Sequence, residues 1–169
     1  MKKVIAGSFV GLCLAVFGLT TVTYSQNTEP SFRVVISTVS GPSDEEITAK
    51  GSFKVGETVK VKVEITNLSN KQINIPKGID YSRPTLFRDG QLVLYRKEII
   101  DREKRKYRSL TGMLYPKPNE MQPEILDLSE FYEPLKPGKY RLSLERRFFK
   151  TDNLVSNTVL FEVVSCDKK

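Results

Sequence analysis

The stretch Thr58-Val59-Lys60-Val61-Lys62-Val63-Glu64-Ile65-Thr66-Asn67 decides the fold. Val59, Val61, Val63 and Ile65 fall on one side of an extended chain, and Lys60, Lys62, Glu64 and Thr66 fall on the other. Strict alternation of β-branched and charged residues makes a strand with one buried face and one wet face. Val55-Gly56-Glu57 reads as the turn leading in, and Leu68-Ser69-Asn70-Lys71 as the polar turn leading out. Ile73 and Ile75 then resume alternation over Gln72 to Pro76, as a neighbouring strand or, if the turn is wide, one that crosses to a second sheet.

The same pattern continues in both directions. Upstream, Phe32 to Val39 reads as a strand, and Gly41 to Lys50 as a loop or short edge strand. Downstream, Thr85 to Arg88 and Gln91 to Tyr95 flank Asp89-Gly90. Asp-Gly between apolar runs marks a two-residue hairpin, because both residues tolerate positive φ in a type I′ turn. Glu124 to Leu128 is a short strand. Lys139 to Phe149, with Tyr140, Leu142 and Leu144 on one face, and Val155 to Val164, with Val155, Val159, Phe161 and Val163 on one face, are two long ones. Seven or eight short strands with little helix period predict an all-β protein, an immunoglobulin-like sandwich of two antiparallel sheets in a single domain.

The turn Leu135-Lys136-Pro137-Gly138-Lys139-Tyr140 sharpens this expectation. Pro137 fixes φ, Gly138 supplies positive φ, and a Tyr at the start of a late strand can return its hydroxyl to an upstream backbone group, as in the tyrosine corner of sandwich domains. Phe53-x-Val55-Gly56-Glu57, Asn67 at the strand end, the Leu135 to Leu142 corner and Ser156-Asn157-Thr158 together resemble exported bacterial immunoglobulin-like domains of unknown function. The G-E-x-V strand ending in Asn and the later Pro-Gly turn also resemble the intracellular proteinase inhibitor family, a β-sandwich family. The first resemblance implies a binding or structural module, and the second implies inhibition of a protease through an exposed loop.

The beginning of the chain reads as an export signal. Lys2 and Lys3 precede an uncharged, mostly apolar run from Val4 to Leu19, and small or polar Thr20, Thr21, Thr23 and Ser25 follow. Cleavage after Ser25 places small residues where signal peptidase requires them, so 1–25 is the expected signal peptide and Gln26 the mature start. The alternative is a retained anchor, since Val4 to Thr23 is long enough as a helix to span a bilayer core of about 30 Å. A lipidated Cys13 is disfavoured by Leu12 before it, where such signals carry a small residue. On either main reading the body is exported, to periplasm, cell surface or medium. Residues 26–31 form a short lead, 32–165 the domain and 166–169 a tail.

Composition narrows the chemistry. The 169 residues carry 27 Lys and Arg against 20 Asp and Glu, for a net charge of +7, with no His and no Trp. Without His, Ser-His-Asp and Cys-His catalysis and histidine metal sites are excluded within one chain. The two cysteines, Cys13 and Cys166, cannot form a zinc cluster or a disulfide framework, and Cys166 reads as a free thiol near the C-terminus. No glycine-rich phosphate loop and no nucleophile elbow occurs. An enzyme, a cofactor and a metal are therefore not expected.

The most basic segment is Arg96 to Arg108, with seven Lys and Arg against three acids. Arg102, Lys104, Arg105, Lys106 and Arg108 are the candidate anion-binding residues, for a phospholipid or acidic glycan surface. The competing reading is a solvated loop or short helix with Ile99, Ile100 and Tyr107 turned inward. Asp44-Glu45-Glu46 lacks the loop spacing of a calcium site. Glu120, Glu124, Asp127, Glu130 and Glu133 have no spacing that selects a catalytic pair, and read as surface charge. Asn67-Leu68-Ser69 matches a glycosylation sequon, relevant only in a eukaryotic host. The expected function is non-catalytic binding to a protein or glycan at the cell envelope, by a monomer and with no nucleic acid partner. A protease inhibitor is the first alternative, and a small carboxylate-dependent hydrolase the second.

Overall fold

The computed structural model describes residues 31–41, 48–104, 110–148 and 153–165. The expected signal peptide 1–25, residues Asp44 to Glu46, Arg105 to Arg108 and the tail with Cys166 lie outside these described residues.

Among the described residues six long strands carry two stacked sheets. The first sheet has the order β2 (Thr48–Ala49), β1 (Phe32–Ser40), β4 (Lys60–Asn67), β9 (Met121–Asp127). The second has the order β3 (Ser52–Lys54), β12 (Val159–Val164), β10 (Gly138–Arg146), β6 (Ser82–Arg88), β7 (Gln91–Leu92), with β11 (Leu154–Val155) also on β10. All pairings are antiparallel except β3 with β12. The fold is an immunoglobulin-like β-sandwich, as the alternation predicts.

The core is built from the inward residues of both sheets. Val61, Val63 and Ile65 of β4 and Val34 and Ile36 of β1 face Leu142 and Leu144 of β10 and Phe161 and Val163 of β12, all buried. Val59 is buried just before β4, and Val159 is partly buried against the cluster. Each fully buried side chain of this size contributes about 1.5–3 kcal/mol of transfer free energy.

Local turn chemistry behaves as its residues dictate. Asp89 and Gly90 have φ of 49° and 84°, and the β6–β7 hairpin closes around them. The Tyr140 hydroxyl donates to the Lys136 carbonyl at 2.6 Å, completing the tyrosine corner. Gly138, at φ 153°, packs against that hairpin so closely that a Cβ there would lie 2.7 Å from Asp89 Oδ2.

Four sequence expectations need correction. Ile75 does not pair beside β4; β5 (Ile75–Lys77) forms a separate ribbon with β8 (Gly112–Leu114). The last strand is not continuous from Val155, which is 69% exposed. Ser156 Oγ accepts from the Leu144 N–H at 3.0 Å, and the Asn157 amide accepts from Ile36 N–H and donates to Ile36 O at 2.7 and 3.0 Å. These side-chain bonds interrupt the ladder and reset the alternation before β12. Within the basic segment, α1 (Lys97–Glu103) turns Ile99 inward but leaves Ile100 41% exposed, because the two are adjacent on a helix and point apart. Glu124, expected on the surface, faces Val63 in register on the inward side of β9.

Candidate functional site

Glu124 meets Arg146, the last inward residue of β10, which is completely buried. Arg146 Nη2 lies 3.1 Å from Glu124 Oε2 and donates to the Pro76 carbonyl at 2.6 Å, while Nη1 donates to Ser82 Oγ. The carboxylate contact is one of charge without hydrogen-bond alignment, so Glu124 Oε2 and Arg146 Nε have no hydrogen-bond partner. Burial pushes the guanidinium pKa down, and the Glu124 charge opposes that shift. This cluster joins both sheets to the β5–β8 ribbon and does not line the depression described below.

The other acids are each committed separately. Glu120 accepts from the Lys117 N–H, Asp127 from the Ser129 N–H, and Glu133 pairs with Arg96 at 3.2 Å. No two of them are brought together as a catalytic pair. Asn67 is buried and saturated: its amide donates to Lys71 O and Pro116 O and accepts from the Ser69 N–H and Oγ–H. Sugar attachment at Asn67 is incompatible with that packing.

The candidate anion-binding residues are only partly placed. Arg102 lies 3.8 Å from Asp80, and Lys104 contacts Asp101 at 3.1 Å. Both described members are thus met by carboxylates within the chain. Arg105, Lys106 and Arg108 fall outside the described residues.

A different surface stands out on the outer face of the second sheet. In register across four strands lie Leu160 of β12, Arg141 of β10, Phe87 of β6 and Leu92 of β7. Leu160 is 71% and Leu92 56% exposed. The Arg141 guanidinium lies over the Phe87 ring, 4.6 Å from its centroid. Its neighbours along the same face of β10 are Lys139 and Ser143, and among the described residues no carboxylate lies within 4 Å of it. Leu160, Arg141 and Phe87 of this row line an open depression of about 570 Å³ that Asp89, Lys139 and Glu162 also edge. Asp89 is tied to the Lys139 N–H at 3.0 Å, and Glu162 faces Lys139 in register. The outer face of the first sheet presents Lys60, Lys62 and Glu64 along β4, with Lys62 and Glu64 paired at 2.7 Å, beside Met121, Pro123 and Ile125 of β9.

This row escapes sequence reading because its members lie on separate strands and meet only by lateral pairing. One signal is nevertheless present: Val159-Leu160-Phe161 and Leu86-Phe87 put apolar residues on both faces of their strands.

No family model matches the chain, and no curated protein matches it. Among solved structures it is similar to the CARDB domain of the PF1109 protein from Pyrococcus furiosus. The crystal structure of that domain, in complex with di-metal ions, has 15% identity and a TM-score of 0.40 over 79% of this chain and 93% of that one. Its solution NMR structure has 16% identity and a TM-score of 0.39 over 79% and 94%. The metal ions belong to that protein. Among the described residues of this chain, no group of three or more Asp, Glu or Cys side chains comes together to hold one.

Proposed function

We propose that this chain is an exported, non-catalytic binding module of the cell envelope, and that its partner is a protein held on the outer face of the second sheet. The observation that carries the reading is the exposed row Leu160–Arg141–Phe87–Leu92. Apolar side chains on three of four adjacent strands, with one arginine set among them, mark a contact surface rather than a solvated one. A protein is favoured over a glycan because the Phe87 ring face, the natural platform for a sugar, is occupied by Arg141. The basic start and apolar run of residues 1–25 support export.

The test is a tagged copy in the native host, compared with Leu160→Asp. The expected result is recovery in the envelope or extracellular fraction, with co-purification of a protein that the variant fails to hold. Equal capture by both proteins, or recovery in the cytoplasm, contradicts the proposal. Mass measurement of the recovered chain separates a start at Gln26 from a retained anchor.

A further inference from the structure

We propose that the partner lays an extended segment across this face, with a carboxylate side chain flanked two residues away on each side by apolar side chains, and that Arg141 reads the carboxylate. The inference rests on the outer face of the second sheet being the binding surface, and it adds the chemistry of the occupant.

Charge complementarity selects the carboxylate. Lys139 has Glu162 opposite it, and Asp89 is held by the Lys139 N–H and lies 4.0 Å from Arg88. Arg141 alone stands in an apolar row, between Leu160 and Phe87, with no described carboxylate within 4 Å, and the two acids that edge the same depression, Asp89 and Glu162, are engaged as above. The Phe87 ring lies against one side of the guanidinium, and no hydrogen bond or ion pair among the described residues takes its N–H groups. The guanidinium edge matches a carboxylate in a two-point contact, which a neutral amide or a hydroxyl does not reproduce. Restricting the guanidinium before binding also lowers the entropy lost when the contact forms.

Geometry selects the flanking apolar residues. Leu160, Arg141, Phe87 and Leu92 sit on four adjacent strands, so Leu160 and Leu92 are about 14 Å apart at a strand spacing of about 4.8 Å. In an extended peptide, side chains on one face repeat every second residue, and four residues span about 13–14 Å. A segment crossing the strands with the pattern apolar-x-acid-x-apolar therefore places its acid in the central part of the row and its apolar side chains near Leu160 and Leu92.

The test uses a random nine-residue peptide library displayed on phage, selected on the full-length chain and counter-selected on Leu160→Asp. The enriched sequences are expected to share Asp or Glu with apolar residues two positions to either side. A synthetic copy of the best peptide should bind about 10-fold more weakly to Arg141→Gln, with Arg141→Lys restoring only part of the loss. The amide analogue of its acid should lose a similar factor, and combining analogue and variant should add little more. Enriched peptides without an acid, or unaffected by Arg141→Gln but lost with Leu160→Asp, overturn the carboxylate and leave the binding face standing. Peptides that bind Leu160→Asp as well as the parent overturn both. Absence of enrichment overturns the proposal. So does a chain that sediments as a dimer and becomes monomeric on Leu160→Asp, which would put a second copy on the face.

Discussion

At the scale of single residues, burying Arg146 against Glu124 is the least conventional choice in the molecule. Taking both charges out of water is costly, and removing one partner leaves the other unpaired. Arg146→Met alone and Glu124→Gln alone are each expected to destabilise by about 3–5 kcal/mol in urea unfolding. The double variant should fall well short of the sum, since neither buried charge then lacks its partner. Additive losses would show that the two groups act independently. The sequence hides this pair because a charge at a period-two position reads as outward, although Arg146 simply continues the inward series Tyr140, Leu142, Leu144.

A second residue-scale expectation concerns pH. The hydroxyls of Tyr95 and Tyr132 both donate to the Pro84 carbonyl. Proline has no N–H, and β7 does not extend to this part of β6, so the phenols close an otherwise open strand edge. Burial is the main cause raising both pKa values above the ordinary 10, far above it for Tyr132. A raised phenol pKa means that the unfolded chain loses its proton first. The stabilisation is thus complete below about pH 10 and falls as pH rises from there. Tyr132→Phe should cost about 1 kcal/mol at neutral pH. It should also flatten the alkaline decline by up to about 1.4 kcal/mol per pH unit. An unchanged alkaline slope in pH-dependent unfolding would contradict this assignment.

At the scale of elements, local signals were legible and distant ones were not. Asp89-Gly90 and Pro137-Gly138-x-Tyr140 specify their turns within a few residues, because the required φ values and the corner hydrogen bond are set by neighbours in sequence. Pairing of Ile75–Lys77 with Gly112–Leu114 depends on where the rest of the sandwich leaves room, and no local pattern announces it. The break between β11 and β12 was likewise hidden, since Ser156 and Asn157 act on Leu144 and Ile36 of other strands. The corner offers a clean test: Gly138→Ala must move its own backbone or displace the Asp89 and Arg88 side chains of the hairpin. A loss of about 1–3 kcal/mol is expected in thermal or urea unfolding, with the hairpin resonances of residues 88–91 shifted. Parent-like stability would mean that the corner and the hairpin are not in contact.

At the scale of the whole molecule, two surfaces compete for a role, and they respond differently to charge. Reversing Lys104, Arg105 and Lys106 to Glu is expected to leave folding within about 0.5 kcal/mol. It should also leave partner capture unchanged if the outer face of the second sheet is the contact surface. Loss of capture by this variant, together with a steep salt dependence, would instead restore the anion-binding reading of Arg96 to Arg108. The sandwich itself was legible because alternation is a property of each strand; the row Leu160–Arg141–Phe87–Leu92 was not, because it exists only once four strands lie side by side. Hydroxyl-radical footprinting of the chain with and without its captured partner tests that face most directly, since it reads side-chain exposure position by position. Protection concentrated at Leu160, Phe87 and Leu92, with Ile100 and Tyr115 unchanged, is the expected result; protection at residues 96–108 with Leu160 as reactive as before would contradict it.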